Sequence, residues 1–129
     1  MYKDLQFRIS TDSNGKSLDG SRNYQLHLPS DMPVANFWSV IVYDNQTQLI
    51  IQSGQAWPSV HSNSKKLVLN ADESIDIWFG PFAPEGKKNN WIQTIPGKEW
   101  HIVIRLYDLL EPLTDLDLEW NPGEMMEIK

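Results

Sequence analysis

The chain has 129 residues and a mass of 14.9 kDa, the size of one domain. Lys and Arg number 11 against 17 Asp and Glu, a net charge of −6 with a pI near 4.9, which argues against a partner with a phosphate backbone. The absence of cysteine rules out disulfides, thiolate zinc sites and a cysteine nucleophile, and no apolar run approaches the roughly 18 residues of a membrane helix.

The N-terminus carries neither an apolar h-region nor a small-residue cleavage site, so no signal peptide is expected and the compartment is left open. Residues 1–14 are polar and read as a loosely packed extension, although the alternation Leu5, Phe7, Ile9 suits one strand. Asn14-Gly15 and Asp19-Gly20 are turn dipeptides. Tyr24, Leu26 and Leu28 alternate with polar residues and predict a strand ended by Pro29. Phe37 to Asp44 is apolar on both faces and predicts a central strand buried on both sides. Leu49-Ile50-Ile51 is expected to pair back across the Asp44-Asn45 turn, and the polar stretch 54–66 reads as a loop.

Leu67-Val68-Leu69 and Ser74 to Phe79 flank a turn and predict a hairpin with Ile75, Ile77 and Phe79 on one face and Asp76 and Trp78 on the other. A long irregular connection over 80–90 leads to a short strand from Trp91 and a turn at Pro96-Gly97-Lys98. Glu99 to Tyr107 predicts the longest strand, with Trp100, Ile102, Ile104 and Leu106 on one face and His101, Val103, Arg105 and Tyr107 on the other. The tail mixes leucines with acids before Trp120-Asn121-Pro122-Gly123 turns into a last segment, Met125 to Ile128. Short strands separated by turn signals, without an amphipathic helix, predict an all-β sandwich or barrel in a single domain.

Trp38 and Trp100 sit on apolar faces and read as core. Trp57, Trp78 and Trp91 lie in polar surroundings, where an indole either packs against other protein or offers a stacking platform for a sugar ring. Trp120 is expected to pin the tail. Arg105, in mid-strand, is expected to pair with Asp44 or Asp76, or else to grip a carboxylate or sulfate. His27, His61 and His101 have no metal-ligand spacing; His27 and His101 would have to converge from two strands, and neither a metal nor a cofactor is expected. Asp44, Asp76, Glu99 and Asp108 are the carboxylates placed to form an acid–base pair, which glycoside hydrolysis needs. No Gly-x-Ser-x-Gly and no phosphate-binding glycine loop occurs. The run Asp115-Leu116-Asp117-Leu118-Glu119 reads either as a protected edge strand or as a partner-binding edge, with Met125 and Met126 beside it.

Several stretches in order, Tyr24 to Pro29, Phe37 to Asp44, Ala71 to Pro81, Asn89 to Thr94, Pro96-Gly97-Lys98, Arg105-Leu106-Tyr107 and Trp120 to Glu124, make the chain resemble the family called domain of unknown function 1214 over residues 15–128. The resemblance implies a jelly-roll-like sandwich that commonly follows a domain of unknown function 1254, and it assigns no catalytic residue. The chain departs from the family pattern at Asp72-Glu73-Ser74, where relatives carry Asp-Gly-Ser. A positive φ at Glu73 would be strained without glycine. It departs again at Asp108-Leu109, where relatives carry Gly-Pro, and in the acidic stretch before Trp120.

The function expected from these residues is a non-catalytic module that binds a glycan or a protein partner, through a surface including Trp57, Trp78, Asn90, Trp91, His101, Arg105 and Tyr107. A hydrolase acting on a glycan or glycoconjugate and a structural, homo-oligomerising domain are the alternatives.

Overall fold

The computed structural model describes residues 5–30, 34–55, 58–64, 66–109 and 122–128, without the side chains at 34–36, 108 and 109. Its strands are β1 (Leu5–Ile9), β2 (Leu18–Asp19), β3 (Asn23–Leu28), β4 (Val34–Asp44), β5 (Ser59–His61), β6 (Ile75–Gly80), β7 (Trp91–Gln93), β8 (Glu99–Leu109) and β9 (Met125–Ile128), with one short 3-10 turn at Lys88–Asn90. They form two sheets. One runs β1-β8-β4-β5 with β2 also on β8, and the other runs β7-β6-β3-β9. The chain passes back and forth between them, a single-domain, all-β sandwich.

Alternation decides which side chains meet. Trp100, Ile102, Ile104 and Leu106 of β8 are fully buried, and Trp38, Val40 and Val42 of β4 lie opposite them in register. Tyr24, Leu26 and Leu28 of β3 and Ile75, Ile77 and Phe79 of β6 face them from the second sheet. Trp100 joins the layers: its ring stacks on Phe79 at 5.2 Å and meets Tyr24 edge-on at 5.5 Å. The Tyr24 hydroxyl stays satisfied by accepting the Asp19 N–H at 3.0 Å.

Four local expectations change. Residues 5–14 are not a loose extension: Leu5, Phe7 and Ile9 pair with Leu106, Ile104 and Ile102 and pack on the core. β1 and β2 share one edge of β8 and are separated by a loop that a Thr11–Ser17 bridge closes. β4 is not buried along both faces: Phe37, Ile41 and Tyr43 on its outer face are half-exposed, although Ser39 among them is buried. The stretch read as a loop over 54–66 contains β5, which pairs with β4 through Val60↔Val40.

The expected hairpin of 67–69 with β6 does not form, because β6 lies between β3 and β7. Its would-be partner is held instead by Asn90. The Asn90 carboxamide accepts the Val68 N–H at 2.9 Å and donates to the Val68 carbonyl at 2.8 Å, as a neighbouring peptide would. The same Nδ2 donates to the Asp76 carbonyl at 3.0 Å, so one buried side chain ties the 66–70 segment to β6. The turn before β6 keeps a positive φ of 70° at Glu73, closed by Glu73 N–H to Asn70 O and Asn70 N–H to Ser74 O. The left-handed conformation costs a non-glycine residue about 1–2 kcal/mol.

Two stability changes follow. Glu73→Gly relieves the strain but adds unfolded-state entropy, for a net gain of about 0.5–1 kcal/mol in urea unfolding. Asn90→Ala strands three backbone groups and is expected to cost about 2–4 kcal/mol by the same measurement, at the upper end if water does not refill the site.

Candidate functional site

Because both inner faces are spent on the core, candidate chemistry lies on the two outer faces and at the rims. The residues expected to form one surface divide between opposite faces. Trp78 and Trp91 are on the outer face of the four-stranded sheet, whereas His101, Arg105 and Tyr107 are on the outer face of the five-stranded one. Asn90 is a buried strut at 4% exposure, its carboxamide engaged by Val68 and Asp76, and it also lines a small pocket beside Trp78. Trp57, Trp120 and the acidic run 115–119 lie outside the described residues, as does the side chain of Asp108.

On the four-stranded sheet, register places Met126, Gln25, Trp78 and Trp91 in one row across β9, β3, β6 and β7. Trp78 and Trp91 are neighbours on parallel strands, which stand about 4.8 Å apart. The Trp91 Nε1–H donates to the Gly80 carbonyl at 3.0 Å, which fixes the ring with its polar edge satisfied. At Gly80 a Cβ would lie 2.2 Å from Asn23 Oδ1, so a larger residue would displace the Asn23 side chain. Gln55 holds the open edge of β7, donating from Nε2 to the Trp91 carbonyl at 3.1 Å and accepting the Gln93 N–H at 2.7 Å. The Lys87 ammonium, from the exposed loop, sits 5.0 Å from the Trp78 ring centroid.

The next row pairs His27 with Asp76. His27 Nδ1 donates to Asp76 Oδ1 at 2.6 Å, and Asn70 Nδ2 donates to the other carboxylate oxygen at 3.1 Å. Burial pushes the Asp76 carboxyl up, but hydrogen bonds from His27, Asn70 and Gln25 together outweigh it and hold the pKa below the usual range. With Nδ1 engaged, Nε2 of the exposed His27 has no hydrogen-bond partner among the described residues. Gln25, His27, Asp76, Gly123, Glu124 and Met126 line an open cavity of about 550 Å³.

The five-stranded face is different. Its rows read Gln6, Arg105, Ser39, His61 and Arg8, Val103, Ile41, Ser59. Phe37 lies tilted between the rings of Tyr107, at 5.2 Å, and His61, at 5.6 Å. His101 is buried beneath Tyr43 with Nδ1 2.5 Å from Asn45 Oδ1; burial, with the Arg8 charge adding to it, lowers its pKa and favours the neutral ring. Arg105 does not pair with Asp44 or Asp76. Asp44 takes the Lys98 ammonium at 3.0 Å and Asp76 takes His27. Ser39 Oγ, Ser59 Oγ and Arg105 Nε are buried and lack a hydrogen-bond partner among the described residues. Each such group costs about 1–3 kcal/mol. His27 and His101 stand on opposite outer faces, so the convergence a shared metal would need does not occur.

Of the carboxylates, Asp44 and Glu99 line a cavity of about 320 Å³ at one end of the sandwich, where the Lys98 ammonium sits 3.0 Å from Asp44. The hydrogen bond from Lys98, helped by the Gln46 N–H, holds the Asp44 carboxyl below its usual range. A general acid needs the opposite shift. Asp76, on the far sheet, is remote from this pair.

The Gln25–Trp78–Trp91 row was legible only in part. The tryptophans stand out in the sequence, but Gln25, His27 and Met126 join them only through strand pairing between distant segments. The match to the family model described as "Protein of unknown function (DUF1214)" runs over residues 3–111. Among solved structures the chain is similar to the VPA0106 protein of Vibrio parahaemolyticus, with a TM-score of 0.81 and 22% identity over 99% of this chain and 31% of that one. It is also similar to an uncharacterised protein of Burkholderia cenocepacia, with a TM-score of 0.53 and 14% identity over 95% of this chain and 34% of that one. Both are likenesses of fold, and the chain spans about a third of the length of each structure. No curated protein matches. With the family model matching most of its length, the chain belongs to the DUF1214 family of proteins of unknown function.

Proposed function

We propose that the outer face of the four-stranded sheet binds a glycan. The observation that carries the reading is the side-by-side placement of half-buried Trp78 and Trp91, in one row with Gln25 and next to the His27–Asp76 pair. A pyranose has an apolar face that stacks on an indole and a rim of hydroxyls that need donors and acceptors. This face supplies both: two rigid aromatic surfaces, and Gln25, His27 Nε2, Asp76 and Glu124 around the adjoining cavity. The Asp76 carboxylate, held ionised, accepts sugar hydroxyl donors. Lys87 covers the Trp78 ring from a mobile-length side chain on an exposed loop, so the ligand displaces it or pairs with it.

A hydrolase has less support. The carboxyls of Asp44 and Asp76 are both held below the usual range, and they lie on different sheets.

The test is a printed glycan array followed by calorimetric titration of the strongest hit. Trp78→Ala and Trp91→Ala are each expected to weaken binding about fivefold to tenfold, the loss of roughly 1–1.5 kcal/mol of aromatic contact. Lys87→Ala is expected to tighten a neutral sugar by a few-fold, since it removes a competing cation–π contact. Absence of any hit, or wild-type affinity in both tryptophan variants, contradicts the reading.

A further inference from the structure

The opposite face carries a separate inference, independent of glycan binding. Across the two central rows of the five-stranded sheet the formal charges are Arg8 and Arg105, and no carboxylate occurs among the described residues of those rows. Along β8 the next carboxylate on this face is Glu99, roughly 20 Å from Arg105 at strand rise. A chain of net charge −6 has therefore gathered two arginines on one surface. The Arg105 Nε is buried without a hydrogen-bond partner among the described residues, and the ion pairs formed among those residues involve Arg22, His27 and Lys98 rather than Arg8 or Arg105. Ser39 is only 5% exposed, and its hydroxyl, beside Arg105 in register, has no partner among the described residues, nor has that of Ser59 one row away. Next to these groups, Phe37, Tyr107 and Ile41 offer half-exposed apolar surface.

We propose that this face docks a second protein through an acidic surface, with Arg105 at the centre and Arg8 at the rim gripping its carboxylates, while Phe37 and Tyr107 take its apolar side chains. The argument is charge complementarity with unsatisfied donors. A guanidinium left half-buried without a counter-ion is poorly solvated, and a carboxylate arriving there meets a planar two-donor fork. The surface is the middle of a sheet rather than an open edge, so the partner is read through side chains and not by strand addition.

The probe is a fluorescein-labelled peptide alternating Glu and Leu, followed by anisotropy against the full chain at low and high salt, with the Lys-for-Glu peptide as control. The acidic peptide is expected to bind saturably and to weaken with salt, while the basic one does not bind. Arg105→Gln is expected to weaken it about tenfold or more, and exposed Arg8→Gln by a smaller factor. Amide shifts on titration are expected along β8, β4 and β5. The Arg8 variant keeps the test decisive if Arg105→Gln perturbs folding. The proposal is overturned if the acidic peptide fails to bind, if both arginine variants bind as wild type does, or if shifts map elsewhere. It is also overturned if the wild type self-associates in sedimentation and Arg105→Gln dissolves the assembly, which makes a second copy the occupant.

Discussion

Everything in this molecule depends on the period-two alternation of its two longest strands. β8 and β4 pair along nearly their whole length, and the inner positions of β8 from Trp100 to Leu106 are completely withdrawn from water. Trp100 then locks the second sheet by stacking on Phe79 and meeting Tyr24. Fully burying one such aliphatic or aromatic side chain is worth about 1.5–3 kcal/mol. The alternation therefore commits every second residue to the core, and it pushes the remainder outward. Function in a closed sandwich of this kind is restricted to outer faces and rims.

Side-chain amides complete what the backbone leaves open. Asn90 stands in for a missing strand beside Val68, and Gln55 does the same at the exposed edge of β7. A carboxamide has the donor and acceptor of a peptide group, so it closes a ladder without adding a strand. The consequence is positional. The segment around Val68, the Lys88–Asn90 turn and β7 are anchored to β6, and that anchoring sets Trp91 beside Trp78. The glycine at position 80 admits Asn23 over the same strand. The face proposed to bind a glycan is thus shaped by side-chain amides that are themselves engaged with backbone groups.

The strands with clean alternation were readable from the sequence, namely Leu5–Ile9, Tyr24 to Leu28, Ile75 to Phe79 and Glu99 to Tyr107, because each pattern repeats on the scale of the strand. β5 was not, since Val60 is its single core residue and the surrounding Ser, His and Asn residues look like loop. The 67–69 hairpin was predicted from two apolar runs around a turn, yet local pattern cannot tell a strand partner from a carboxamide contributed twenty-two residues away. The surface suffered the same limit more severely. Alternation tells which residues of a strand point together, but not which sheet the strand joins. His101, Arg105 and Tyr107 were therefore grouped with Trp78 and Trp91, although sheet membership puts the two sets on opposite sides of the sandwich. Arg105 was given Asp44 or Asp76 as a partner for the same reason, whereas Lys98 and His27 reach those carboxylates first.

The two outer faces are distinct surfaces: Trp78 and Trp91 lie half-buried on one, while Trp38 and Trp100 are sealed in the core. The most direct measurement is a two-dimensional proton–nitrogen spectrum of the indole N–H signals during titration with the strongest-binding oligosaccharide. Shifts confined to Trp78 and Trp91, with Trp38, Trp100 and the Arg105 Nε–H unmoved, are the predicted result. Shifts that leave Trp78 and Trp91 in place, or that appear at Arg105 instead, contradict it.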